Sequence, residues 1–292
     1  MQSITVPKRY LNSARKILGN DAYDQIVSSY APFEATWAAY KISRQYRIKW
    51  SLYILDTFTN RGASKFFSEK WNDKHGWRWE KKFYSQADQI INLKCHEQHH
   101  QQSRYNPYRN KMKFVDIPLY NPAKFNGIVK EKKEEDMRFV YAGRIDSHWY
   151  PPQHMCELFL RISEGKNWKL YFFGNPGDCE KYLDSLDKNR IVKAGFIPRS
   201  EVEQELINAD ILVSFCHMDS EKIQSKIFDY MSTGNKILHI TSKEHRDSAR
   251  DYYSNYSNAF IIDIDELHSE KRLDDLRRFL SDGRRLSLEE TK

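Results

Sequence analysis

Ser225, Lys226 and Asp229 stand together in SKIFDYMSTGNKIL (225–238), whose apolar residues recur at helical spacing up to Gly234 and then become a short β-type run. The start of a helix presents backbone N–H donors and the positive end of its dipole, which is a place for an anion. Ser225 can cap that start or donate to a ligand, and Lys226 adds a full charge. Asp229, one turn on, faces the same side and can accept hydrogen bonds from hydroxyl groups. Other β-type runs end in matching groups. Residues 137–142 lead into Gly143-Arg144, where glycine permits close backbone approach and arginine offers a forked donor for phosphate oxygens. Residues 168–173 lead into the turn-rich Gly174-Asn175-Pro176-Gly177-Asp178. Residues 191–194 lead into Gly195-Phe196-Ile197-Pro198, where backbone and an apolar side chain can hold a flat base. With Arg144 opposite Lys226, the set reads as a diphosphate clamp beside a hydroxyl acceptor.

Such residues meet only if a scaffold brings distant segments to one edge. Strands are expected at 137–143, 168–174, 191–195, 210–215, 236–240 and 259–263. Helical patterns separate them near 153–163, 177–186, 200–208, 225–233 and 244–254, and an amphipathic stretch follows at about 266–280. Short apolar strands alternating with helices imply a parallel sheet covered on both faces, with ligands gathered beyond the carboxyl ends of the strands. The first half repeats the rhythm more sparsely, with strands at 25–30, 49–56, 89–93 and 113–118 and helices at 35–46 and 77–87. Asn121-Pro122 and the charge run EKKEED (131–136) mark the boundary. The expected organisation is a smaller α/β lobe at 1–125, a doubly wound α/β domain at 126–280 and a tail at 281–292.

FVYAGRID, LYFFGNPGD, IVKAGFIPRSEVEQELINADILVSF and SEKIQSKIFDYMSTGNKIL resemble the nucleotide-sugar half of GT-B glycosyltransferases, in the retaining family-4-like branch that builds bacterial surface polysaccharides. That branch carries two acids separated by seven residues, and Glu221 and Asp229 have this spacing, with aspartate in place of the second glutamate. The resemblance implies an α/β fold of two Rossmann-like lobes, the first incomplete. It implies Arg144 and Lys226 at the donor diphosphate, with Gly143, Asn175 and Ser225 nearby. Asp229 would meet the ribose, Phe196 and Ile197 the base, and Glu221 the transferred sugar. In the first half, the segment from YDQIVSSY to YILDTFT and WRWEKKFYSQADQIINL are similar to the same family, so the match spans roughly residues 23 to 280. It also implies the partners: a nucleoside-diphosphate sugar as donor, a glycan or lipid-linked hydroxyl as acceptor, and no cofactor or metal. Two departures stand out. DSHWYPPQ (146–153) lacks a lysine that the family often has after the Gly-Arg. The family's first lobe usually opens with further β-α units and a glycine-rich loop, which this chain is expected to lack. The alternative is therefore a catalytically incomplete subunit that binds a nucleotide sugar or a partner protein.

The bulk numbers limit other classes. In a chain of 292 residues, 40% hydrophobic and 30% charged content fits a folded protein. No apolar run approaches the roughly 18 residues of a membrane span. The N-terminus lacks signal-peptide features, and Cys95, Cys156, Cys179 and Cys216 form no pair motif, so a cytoplasmic location is expected. Residues 1–125 hold 21 Lys and Arg against 10 Asp and Glu, net +11, whereas residues 126–292 hold 26 against 30, net −4. The basic half suits an anionic partner, whether nucleic acid, a membrane surface or a phosphorylated lipid. Because family acceptors are commonly lipid-linked, the resemblance implies a peripheral position on the inner face of the membrane rather than nucleic acid. HEQHH (96–100) matches the zinc-protease pattern but lacks a third ligand nearby. Trp71, Trp77 and Trp79, interleaved with lysines and arginines, read first as the core face of a helix.

Overall fold

A computed structural model describes residues 5–19, 21–59, 68–117, 119–130, 136–148, 151–216, 223–244, 247–282, 285–287 and 290. It contains two compact units, Met1–Ile117 and Pro118–Lys292.

The first unit opens with α1 (Thr5–Leu18), which packs on α2 (Phe33–Tyr46). Strands β1 (Gln25–Ser29), β2 (Lys49–Ile54), β3 (Gln89–Leu93) and β4 (Met112–Val115) form one parallel sheet in the order β1-β2-β3-β4. The helix α3 (Glu69–Gln86) connects β2 to β3. It begins well before the expected residue 77 because the Ser68 hydroxyl accepts the Trp71 N–H and caps it (3.3 Å). Trp50, Leu52, Ile54, Phe83, Tyr84 and Ile90 are fully buried and make an aromatic-rich core. Trp77 and Trp79 pack against that core, whereas Trp71 is exposed and stacks on His75.

The second unit is larger. Strands β5 (Arg138–Ala142), β6 (Lys169–Phe173), β7 (Ile191–Gly195), β8 (Ile211–Phe215), β9 (Lys236–Thr241) and β10 (Ala259–Asp263) form a parallel sheet in the order β10-β9-β8-β5-β6-β7. Every residue of β8 and β9 is buried, as expected of central strands covered on both faces. The crossovers carry α4 (Gln153–Ile162), α5 (Glu180–Asp184), α6 (Arg199–Asn208), α7 (Lys226–Ser232) and α8 (Ser248–Tyr253), and α9 (Glu270–Ser281) follows β10. The helix expected at 177–186 is a 3-10 turn, Gly177–Cys179, followed by the short α5. The architecture is thus two Rossmann-like lobes, the first the smaller.

The units divide after residue 117, ahead of the expected boundary at 125/126. The reason is that residues 119–130 are fastened to the second unit. The Asn121 N–H donates to Ser232 Oγ (3.0 Å), Gln204 donates to the Val129 carbonyl (3.0 Å), and Lys130 pairs with Asp210 (2.5 Å). The tail joins the same unit: Leu286 is buried, and its N–H donates to the Gly234 carbonyl (2.9 Å). No helix among the described residues is long and apolar enough to cross a membrane.

Candidate functional site

The order of the second sheet reverses beside β5. The chain runs from β5 to β6 and β7 on one side, then resumes at β8 on the other. Loops leaving the two strands at such a reversal diverge and open a crevice beyond their carboxyl ends. A cavity of about 570 Å³ lies there, lined by residues after β5, β6 and β7 and by the first turn of α7.

Its floor depends on two glycines. Gly143 and Gly174 take φ values of +147° and +128°, which side-chain-bearing residues rarely adopt. A Cβ on Gly174 would stand 2.3 Å from the Gly143 carbonyl oxygen. The Gly143 N–H donates to the Phe173 carbonyl (2.8 Å) and the Gly174 N–H to the Gly195 carbonyl (2.7 Å), which draws three strand ends together.

Helix α7 supplies one wall. Tyr230 is buried, and its phenolic oxygen accepts the Ala142 N–H (2.8 Å), clamping the helix to the end of β5. Lys226, one turn earlier on the same face, thereby reaches Gly143: a Cβ there would lie 3.3 Å from the Lys226 Nζ. The Nζ stands 3.7 Å from the Tyr141 ring centroid and 5.5 Å from that of Phe215. The residue as a whole is half-buried, yet its amine is packed among these rings, and burial pushes its pKa well below that of an ordinary lysine. Gln224 ties the approach to the helix back to β8 by donating to the Phe215 carbonyl (2.9 Å).

Asp229 sits in a closed ring of charges. Its carboxylate meets Lys124 Nζ (2.9 Å) and Arg199 Nη2 (2.6 Å). Glu203 meets the same two cations, Lys124 Nζ at 2.9 Å and Arg199 Nε at 3.0 Å. Burial alone would raise the Glu203 pKa, but hydrogen bonds from Lys124 and Arg199 outweigh it and hold the carboxyl below its ordinary range. Burial likewise works against the Arg199 cation, and the hydrogen bonds and charges of Asp229 and Glu203 together outweigh it, raising its pKa.

Gly143, Arg144, Phe196, Ile197, Ser225, Lys226 and Asp229 all line this one cavity. The Arg144 side chain is 71% exposed and lies 3.3 Å from Asp146. Phe196 is 88% exposed, a large apolar ring held in the open at the cavity wall. Asn175 does not line the cavity; its side-chain oxygen accepts the Gly177 N–H (2.8 Å) and shapes the turn after β6. Ser225 precedes α7 but makes no capping hydrogen bond with its side chain. Glu221 lies outside the described residues, as does His217. Sequence reasoning missed Tyr230, Arg199 and Lys124. The i, i+4 spacing of Lys226 and Tyr230 could have signalled the first, but nothing local points from Lys124 to a partner 105 residues away.

The first unit holds a second polar cluster. Glu80, buried on α3, accepts the N–H groups of Phe58 (2.6 Å) and Thr59 (3.2 Å) and the Tyr105 hydroxyl (2.7 Å). His99 Nε2 lies 2.8 Å from the Tyr105 oxygen and 2.9 Å from Thr59 Oγ1. Within the HEQHH segment, His100 bonds the His96 carbonyl (2.8 Å) and the Tyr84 hydroxyl (3.0 Å). Burial pushes His99 down to about 4 and His100 down to about 3, so both rings are neutral near pH 7. Among the described residues, no three His, Cys, Asp or Glu side chains form a metal-sized group.

No family model matches the chain, and no curated protein matches it. Solved structures do. A lipopolysaccharide outer core galactosyltransferase, WaaB in its apo form, is similar over 98% of this chain and 74% of its own, with a TM-score of 0.60 and 14% identity. A glycosyltransferase from Rickettsia africae ESF-5 is similar over 99% of this chain and 79% of its own, with a TM-score of 0.58 and 12% identity. A putative UDP-N-acetylglucosamine 2-epimerase from Listeria monocytogenes is similar over 98% and 74%, with a TM-score of 0.52 and 14% identity. At these identities the likeness establishes a shared two-lobed fold.

Proposed function

We propose that this protein is a retaining glycosyltransferase that moves a sugar from a nucleoside-diphosphate sugar to a hydroxyl of a glycan or lipid-linked acceptor in surface polysaccharide synthesis. The observation that carries this reading is the cavity at the strand-order reversal, which Arg144, Lys226 and Asp229 share with the exposed Phe196 ring. In this reading Arg144 and Lys226 meet the diphosphate, Asp229 takes a ribose hydroxyl, Phe196 and Ile197 flank the base, and Glu221 stands near the transferred sugar. Breaking the anomeric carbon–oxygen bond leaves positive charge on the sugar and negative charge on the departing diphosphate. Fixed cations at the leaving group lower that barrier without reorganising during the reaction. The basic first unit suits a peripheral position on an anionic membrane surface.

Two of the similar structures are described as glycosyltransferases and one as an epimerase, so a nucleotide-sugar epimerase is the second reading. Both readings need the same donor cavity and differ only in the fate of the sugar. The test is calorimetric titration with UDP-, GDP- and ADP-sugars, followed by product analysis with and without a membrane-lipid acceptor fraction. Sugar appearing on the acceptor supports transfer. A changed sugar still attached to its nucleotide supports epimerisation, and an absence of binding by any nucleotide sugar overturns both.

A further inference from the structure

The cavity lining carries two chemically distinct sets of groups. Lys226 Nζ lies over the Gly143 backbone, and Arg144 lines the same cavity, a set suited to phosphate. Phe196 and Ile197, on the stretch between β7 and α6, and Arg199, at the start of α6, form the other. Taking the donor-site reading as its premise, we infer that Arg199 is a base-specificity residue that selects donors carrying an oxo base, uracil or guanine, over those carrying adenine or cytosine.

The guanidinium is held by two edges, Nε on Glu203 (3.0 Å) and Nη2 on Asp229 (2.6 Å). These anchors fix its plane and leave Nη1 with no partner among the described residues. The Arg199 side chain is 58% exposed and lines the cavity, so the remaining donors are available to a ligand. Its contact with Asp229 places it at the nucleoside rather than at the diphosphate. A guanidinium has N–H donors and no acceptor, so it pairs only with an edge that accepts. At position 6 of the purine and position 4 of the pyrimidine, guanine and uracil offer a carbonyl oxygen that accepts. Adenine and cytosine present an amino donor at the corresponding place, which would oppose the guanidinium. The exposed Phe196 ring contributes stacking, which every base satisfies equally. Discrimination therefore falls to Arg199.

The experiment titrates the full chain with UDP, GDP, ADP, CDP and inorganic pyrophosphate, as wild type, Arg199→Met and Arg199→Lys. The expected result is that UDP or GDP binds on the order of tenfold or more tighter than ADP and CDP. The UDP and GDP arms tell which oxo base fits. Arg199→Met should erase that ratio while leaving pyrophosphate affinity unchanged. Arg199→Lys keeps the charge beside Asp229 without the planar fork, and should also lose the ratio; this controls for failure of the methionine variant to fold. Equal affinity for all four nucleotides overturns the inference and leaves the donor site standing. So does an Arg199→Met loss shared equally by the nucleotides and pyrophosphate, which would make Arg199 a phosphate ligand. If no nucleotide binds the wild type, the donor-site reading falls, and this one with it.

Discussion

The two sheets are built alike and used differently. Each is wholly parallel, with helical crossovers and polar groups around the carboxyl ends of its strands. The first keeps its strands in chain order, β1 to β4, with no reversal. The polar groups after β2 and β3 have turned inward: Glu80 is fully buried, and Tyr105, Thr59 and His99 satisfy it and one another. The second sheet reverses at β5, and there Arg144 and Arg199 keep 71% and 58% of their side chains exposed along an open cavity. Strand order decides whether the loops close over one another or part, and the state of the polar groups follows. A carboxylate that is buried and fully bonded holds a loop in place, whereas one left at a cavity wall can exchange its partners for a ligand.

That contrast is broken most directly by substitution at its two poles. In the proposed reaction, Lys226→Ala should reduce transfer by roughly two or more orders of magnitude, as expected for removing one preorganised donor at a developing negative charge, with little change in unfolding midpoint. Near-wild-type turnover in that variant would remove the lysine from the reaction. Glu80→Gln should do the reverse. Its amide would face the Tyr105 and Thr59 hydroxyls with hydrogens where they now find an acceptor, lowering stability by about 1–3 kcal/mol while nucleotide affinity stays unchanged. Denaturant unfolding and calorimetry on one preparation check both halves. Phe196→Ala sharpens the picture at a finer grain. A ring that is 88% exposed contributes little to the fold, so its loss should leave stability intact and cost about 1–3 kcal/mol of nucleotide binding. Unchanged binding would mean that the ring does not stack on the base.

Much of the second unit was legible because its strands are buried on both faces and so read as unbroken apolar runs. ILVSF and KILHI, for example, became β8 and most of β9. The start of α3 was hidden because KWNDKHG, just after its cap, is polar and contains a glycine. In the site, residues tied to strand ends could be placed from sequence, since a parallel sheet fixes where such ends lie. Asn175 looked like a ligand group and is used on its own turn, a choice set by the loop's backbone rather than by residue type. The ring joining Lys124, Glu203, Arg199 and Asp229 depends on how the 119–130 segment lies across α6 and α7, and this becomes visible only once the unit is folded.

The smallest expected effect concerns protons at Lys226. Burial among Tyr141 and Phe215 disfavours its charged form, so its pKa in the free protein lies well below the ordinary lysine value of 10.5. A bound diphosphate favours the ammonium and raises that pKa again. Between the two values, binding takes up a proton. Affinity should therefore be greatest below the free-protein pKa and fall as pH rises through the window, by at most about tenfold per pH unit. Stability of the unliganded protein should move the opposite way. The unfolded chain, with its ordinary lysine, holds more protons than the native state in the window between the depressed pKa and 10.5, so native stability rises with pH there. Titrating inorganic pyrophosphate in buffers of different ionisation enthalpy measures the uptake, and Lys226→Met should abolish it. Proton uptake that persists in that variant would assign the titration to another group in the cavity or to the pyrophosphate itself, and would remove Lys226 from it.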